Sequence, residues 1–100
     1  MSDLPIACTL SSAELQQRRQ TILQRLRDAV AEVRELPDGY AYSFPAEGQW
    51  LQEIGSMIEL ERQCCPFLRF QLTVESNGGP IWLELTGPAG TKQFLEEIFN

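Results

Sequence analysis

Leu68-Arg69-Phe70-Gln71-Leu72-Thr73-Val74-Glu75 alternates apolar and polar residues without a break, the period-two pattern of a strand with one dry and one wet face. Asn77-Gly78-Gly79 follows, and these residues accept the positive φ angles of a hairpin turn. Ile81, Leu83 and Leu85 then resume the alternation, so the two runs read as an antiparallel hairpin.

Upstream of the hairpin, Pro66 ends a helix that starts at about Glu47, because the residue before a proline is pushed out of helical dihedrals. Trp50, Leu51, Ile54, Met57 and Ile58 form its apolar stripe, and Cys64 and Cys65 fall in its last turn. Tyr40, Tyr42 and Phe44 alternate with Ala41 and Ser43, a short strand closed by Pro45. Earlier still, Ser11 with Glu14 makes a capping-box pattern that opens a long helix at about Ser12. Leu15, Ile22, Leu23, Leu26, Val30 and Val33 give that helix a buried face until Pro37, Asp38 and Gly39 stop it. Downstream, Thr86, Gly87 and Pro88 punctuate the chain before a short helix with Phe94, Leu95 and Ile98 inward.

The element order α-β-α-β-β-α predicts one α+β domain over residues 1–100. Its sheet is expected to be three-stranded and antiparallel, in the order 1-3-2, with helices mainly on one face. The β-α-β-β-α portion matches a ferredoxin-like split unit lacking the last strand. The other sheet face carries Arg69, Gln71, Thr73, Glu75, Glu84 and an outlying Trp82. That tryptophan needs a cover, either the long first helix folded back or a second subunit, so a homodimer is one expected arrangement.

The net charge of −6 opposes the phosphate backbone, and no basic stripe or aromatic-arginine platform offsets it, which argues against nucleic-acid binding. The arginines of the first helix, Arg18, Arg19, Arg25, Arg27 and Arg34, are interleaved with glutamines and acids as on a solvated face. No stretch has the apolar length of a membrane span and no leader pattern opens the chain, so a cytoplasmic protein is expected. Three cysteines do not make a closed disulfide set, and all three read as thiols.

Chemistry, if present, rests on sulfur, because the chain has no histidine. On the second helix, Cys65 and Glu61 fall in the middle of the apolar stripe and Cys64 toward its edge. A carboxylate at a buried position is costly unless it is paired, protonated or bound to a metal. The negative end of the helix and Glu61 both disfavour a free thiolate, which argues against a cysteine nucleophile. Adjacent cysteines miss the Cys-x-x-Cys redox spacing, and a disulfide between them needs a distorted ring.

A cation reverses this balance, since it deprotonates and holds the thiols. Three thiolates from Cys8, Cys64 and Cys65 suit Hg(II) or As(III), and Glu61 completes a set that Zn(II) can use. Under this reading the protein binds a soft metal or metalloid and needs no catalysis. Two alternatives stand beside it. In one, the cysteines are core fillers of a homodimeric interaction module, with Glu61 paired to Arg69, Arg62 or a backbone amide. In the other, the protein is a thiol-redox protein.

Glu61-Arg62-Gln63-Cys64-Cys65-Pro66-Phe67-Leu68, with Gly79-Pro80-Ile81-Trp82-Leu83 and Leu85-Thr86-Gly87-Pro88-Ala89-Gly90-Thr91-Lys92, resembles a family of short uncharacterised bacterial proteins. The E-R-x-C-C-P-F core also resembles a module attached to some regulators of the mercury-sensor superfamily. That resemblance implies heavy-metal sensing or sequestration through Glu61, Cys64 and Cys65, with Cys8 as third thiol. No helix-turn-helix accompanies it here, so a complete regulator of that kind is not expected.

Overall fold

The computed structural model describes residues 12–100. In chain order the elements are α1 (Ala13–Ala29), β1 (Glu32–Leu36), β2 (Gly39–Phe44), α2 (Gly48–Cys64), β3 (Arg69–Val74), β4 (Ile81–Thr86) and α3 (Thr91–Ile98). The sheet has four antiparallel strands in the order β1-β2-β4-β3. This corrects the expected three-stranded 1-3-2 sheet, and the element responsible is β1.

The first helix stops at Ala29, well before Pro37, and Val30 already has extended dihedrals. Glu32–Leu36 then pairs with β2, from Glu32 opposite Ser43 to Leu36 opposite Gly39, and Pro37-Asp38 turns between them. A longer helix would have left one edge of β2 without backbone partners, and β2 is buried along its whole length. Pairing with the neighbouring strand across the Pro37-Asp38 turn therefore outweighs the helical propensity of Glu32, Arg34 and Glu35. Val33, read as a core position of the helix, is exposed.

Ser11 lies outside the described residues. The cap of α1 is Ser12, whose hydroxyl accepts the Leu15 N–H at 3.3 Å. At the tip of the β3–β4 loop, Asn77 and Gly78 both have positive φ and the Gly79 N–H bonds to the Ser76 carbonyl, the signature of a type I′ turn, and the Glu75 N–H on the Pro80 carbonyl closes the loop around it. Gly39 has a different reason to be glycine. A Cβ there would overlap the Leu85 carbonyl, so only a bare Cα lets β2 approach β4 this closely.

All three helices contribute to one core. Leu23 and Leu26 of α1, Ile54 and Met57 of α2, and Leu95 of α3 pack with Tyr40, Tyr42 and Phe44 of β2 and Ile81, Leu83 and Leu85 of β4. The helices thus cover the middle of the sheet. The same face of β3 is barely covered: Phe70 is half-buried, and Leu72 and Val74 are exposed. Alternation marks Phe70, Leu72 and Val74 as one face, but an edge position leaves that face short of partners. On α2 the buried stripe is Ile54, Met57, Leu60, Glu61 and Cys64, while Leu51 is exposed.

Trp82 faces away from the helices. Its cover is Arg34 of β1, whose guanidinium lies 4.2 Å from the ring centroid. The first helix does not fold back over it, because α1 packs against α2 on the opposite side. Among the described residues no helix is long and apolar enough to cross a membrane.

Candidate metal centre

The last turn of α2 places Glu61, Cys64 and Cys65 together. The Cys65 N–H closes on the Glu61 carbonyl at 2.6 Å, and Cys65 then leaves helical dihedrals ahead of Pro66. Residues three and four apart share a helix face, so both sulfurs come to the Glu61 carboxylate. Cys65 Sγ stands 3.4 Å from Oε1 and Cys64 Sγ 3.8 Å from Oε2. The two sulfurs are 3.3 Å apart and are not joined in a disulfide. One ligand atom from each residue lies within 4.8 Å of the other two, which makes the trio geometrically able to hold a metal ion. All three residues are buried, with Glu61 at 1 % exposure and both cysteines at 0 %.

The buried carboxylate has a partner that the sequence reading missed. Arg19 of α1 grips Glu61 with a fork, Nε to Oε2 at 2.5 Å and Nη2 to Oε1 at 3.2 Å. Arg69 and Arg62, the expected partners, do not serve: Arg62 pairs with Glu59 at 3.2 Å. A sequence signal for Arg19 did exist, because it falls on the same helical stripe as Leu15, Ile22, Leu23 and Leu26. Opposite charges embedded in two apolar stripes are candidates for each other.

Electrostatics at the site follow from this packing. Burial pushes the Cys65 thiol well above its usual range, and the Glu61 charge and the neighbouring Cys64 add to the effect. Burial by itself would lower the Arg19 guanidinium, but the hydrogen bonds and charge of Glu61 outweigh it and bind the proton more tightly. Arg19 thus holds its charge against one side of the Glu61 carboxyl, and on the other side the Cys65 thiol holds its proton. Each carboxylate oxygen accepts one Arg19 N–H and retains a second lone pair for the sulfur side.

Cys8 lies outside the described residues, so the third thiol of the expected set has no position here. On its outer side Arg19, together with Gln20, Leu23, Gln24, Arg27 and Ile98, lines an open surface cavity of about 280 Å³. Its side chain is 13 % exposed. Arg19 therefore stands between solvent and the thiols.

The tyrosines take no part in this centre. The Tyr40 hydroxyl donates to Glu96 and the Tyr42 hydroxyl to Asn100, each at 2.6 Å, fastening the end of the chain to β2. The bond to Glu96, then burial, then the charges of Glu96 and Glu35 push Tyr40 up to about 12. Burial first, then Tyr40 and Glu96, raises Tyr42 as well. Tyr40, Tyr42 and Cys65 are all protonated more firmly in the folded state, so unfolding releases protons at high pH. Their stabilisation is complete below the ordinary values of 9 for a thiol and 10 for a phenol and is lost as pH rises toward the folded values. The urea midpoint should begin to fall above about pH 9 and go on falling through about pH 12; a midpoint that is flat over that window contradicts these contacts.

Fold and geometry together define a class: an α+β domain with a buried carboxylate-dithiol cluster latched by an arginine from a second helix. Among known proteins, no family model, no curated protein and no solved structure matches the chain.

Proposed function

We propose that the protein binds a soft metal or metalloid ion through Cys64 and Cys65, with Glu61 as the third ligand, and that it serves to sense or sequester that ion. The observation that carries this reading is the pair of buried vicinal thiols 3.3 Å apart, with a carboxylate oxygen against each.

The donor set favours one kind of guest. Pyramidal As(III), with two thiolates and one oxygen ligand, matches the number and the softness of the donors. The exchange balances: two hydroxyls of arsenite leave as water with the two thiol protons, and the third leaves as hydroxide when a Glu61 oxygen takes its place. The resemblance of the E-R-x-C-C-P-F segment to a module of mercury-sensor regulators supports the same chemistry.

Titration of the reduced chain with arsenite, Hg(II) and Zn(II), followed by native mass spectrometry and thiol counting, tests the proposal. As(III) should bind one to one and protect two thiols per chain. Cys64→Ser with Cys65→Ser should weaken uptake by at least about a hundredfold, more than the tenfold to hundredfold typical of a group outside the ligand set. Full affinity in that double variant, or no stoichiometric uptake by the native chain, would overturn the proposal and leave a polar cluster that only joins α1 to α2.

A further inference from the structure

We propose that β3 is a dimerisation edge, pairing antiparallel with β3 of a second copy so that one sheet runs through both chains. The inference is independent of the metal reading and starts from a contrast between the two sheet edges. Edge strands are normally protected by charge, proline or a bulge, because their open backbone groups invite another strand. Strand β1 has such protection in Glu32, Arg34 and Glu35. Strand β3 carries no proline, and its helix-side residues Phe70, Leu72 and Val74 are apolar. Leu72 is 39 % exposed and Val74 56 %, and the exposed Leu51 of α2 lines a surface cavity with Val74.

Backbone parity decides which groups are open. The Glu75 N–H bonds to the Pro80 carbonyl, so the pairs Thr73–Trp82, Gln71–Glu84 and Arg69–Thr86 of the register are the hydrogen-bonded ones. Phe70, Leu72 and Val74 therefore aim their N–H and C=O groups at the free edge. A two-fold axis through Leu72 sets Leu72 opposite the partner's Leu72 and Phe70 opposite the partner's Val74. All the open groups then pair, in about six backbone hydrogen bonds.

That same register sets Arg69 directly opposite the partner's Glu75, twice, on the face away from the helices. Both residues are exposed, and among the described residues neither belongs to an ion pair. Shifting the register by two residues, the smallest shift that keeps backbone parity, separates these charges. One register thus satisfies the backbone, the apolar side chains and the charges together, which is the self-complementarity a two-fold interface requires. It also differs from a dimer built on Trp82, whose ring is already covered by Arg34.

Sedimentation velocity on the full chain over a wide concentration range tests it, with circular dichroism as a folding control. The native chain should show a monomer–dimer equilibrium. R69E alone and E75R alone should each weaken it by about tenfold or more, since each variant turns two attractions into repulsions. The combined swap R69E/E75R should restore it, and L72K should abolish it. A chain that is monomeric throughout, or a dimer indifferent to L72K, overturns the proposed edge. A dimer that L72K breaks but the charge swap ignores overturns the register.

Discussion

Arg19→Ala is expected to destabilise the protein by about 3 kcal/mol, the lower end of the range for breaking a buried ion pair, because Arg19 keeps some contact with water. The loss does not measure the strength of the pair. It reflects what remains: a carboxylate at 1 % exposure between two thiols, with no cation beside it. A domain of this size has roughly 5 to 15 kcal/mol in total, so the single variant gives up a large fraction. Arg19→Met combined with Glu61→Met should recover most of it, since no buried charge is then stranded. Urea denaturation of Arg19→Met, Glu61→Met and the double variant gives the coupling, expected at about 2 kcal/mol or more. Additive single effects would mean that the fork between α1 and α2 contributes nothing in solution.

Leu26→Ala is expected to cost about 2 to 5 kcal/mol, the range for emptying a fully buried leucine site. Leu26 is at 0 % exposure and, with Leu23, is one of the two buried positions of α1. Its loss loosens the helix that carries Arg19, so the consequence should reach the thiols. In the native protein Cys64 and Cys65 are buried and the Cys65 thiol holds its proton tightly, so both should react slowly with a disulfide reagent. In Leu26→Ala their reaction should speed up at least tenfold under native conditions, as about 1.4 kcal/mol of easier opening already gives that factor. A variant that loses global stability with unchanged thiol reactivity would show that α1 does not guard the centre.

The two variants also mark what was legible in the chain. Glu61 is conspicuous in sequence because it interrupts the apolar stripe of α2, and Cys64 and Cys65 lie within three and four residues of it, which fixes them on one face. Arg19 interrupts the stripe of α1 in the same way, yet among four other arginines it reads as one member of a solvated face. Its role depends on how two helices are set against each other, and no local pattern states that. Strand β1 was hidden for a related reason. Glu32-Val33-Arg34-Glu35-Leu36 has only two apolar residues and good helix formers between them. It becomes a strand because β2, across the Pro37-Asp38 turn, offers it backbone partners.

By itself the sequence determined the β3–β4 hairpin, through its alternation and the Asn77-Gly78 turn, and the meeting of an acid and two thiols where Pro66 ends α2. These are short-range matters, governed by the period of the backbone and by which residues tolerate which dihedrals. Tertiary structure alone decided that residues 32–36 join the sheet, that Arg19 compensates Glu61, and that the apolar face of β3 is left bare at an edge. Each of those depends on how whole elements are set against one another, where the free energy lies in satisfied backbone groups and compensated charge rather than in any local propensity.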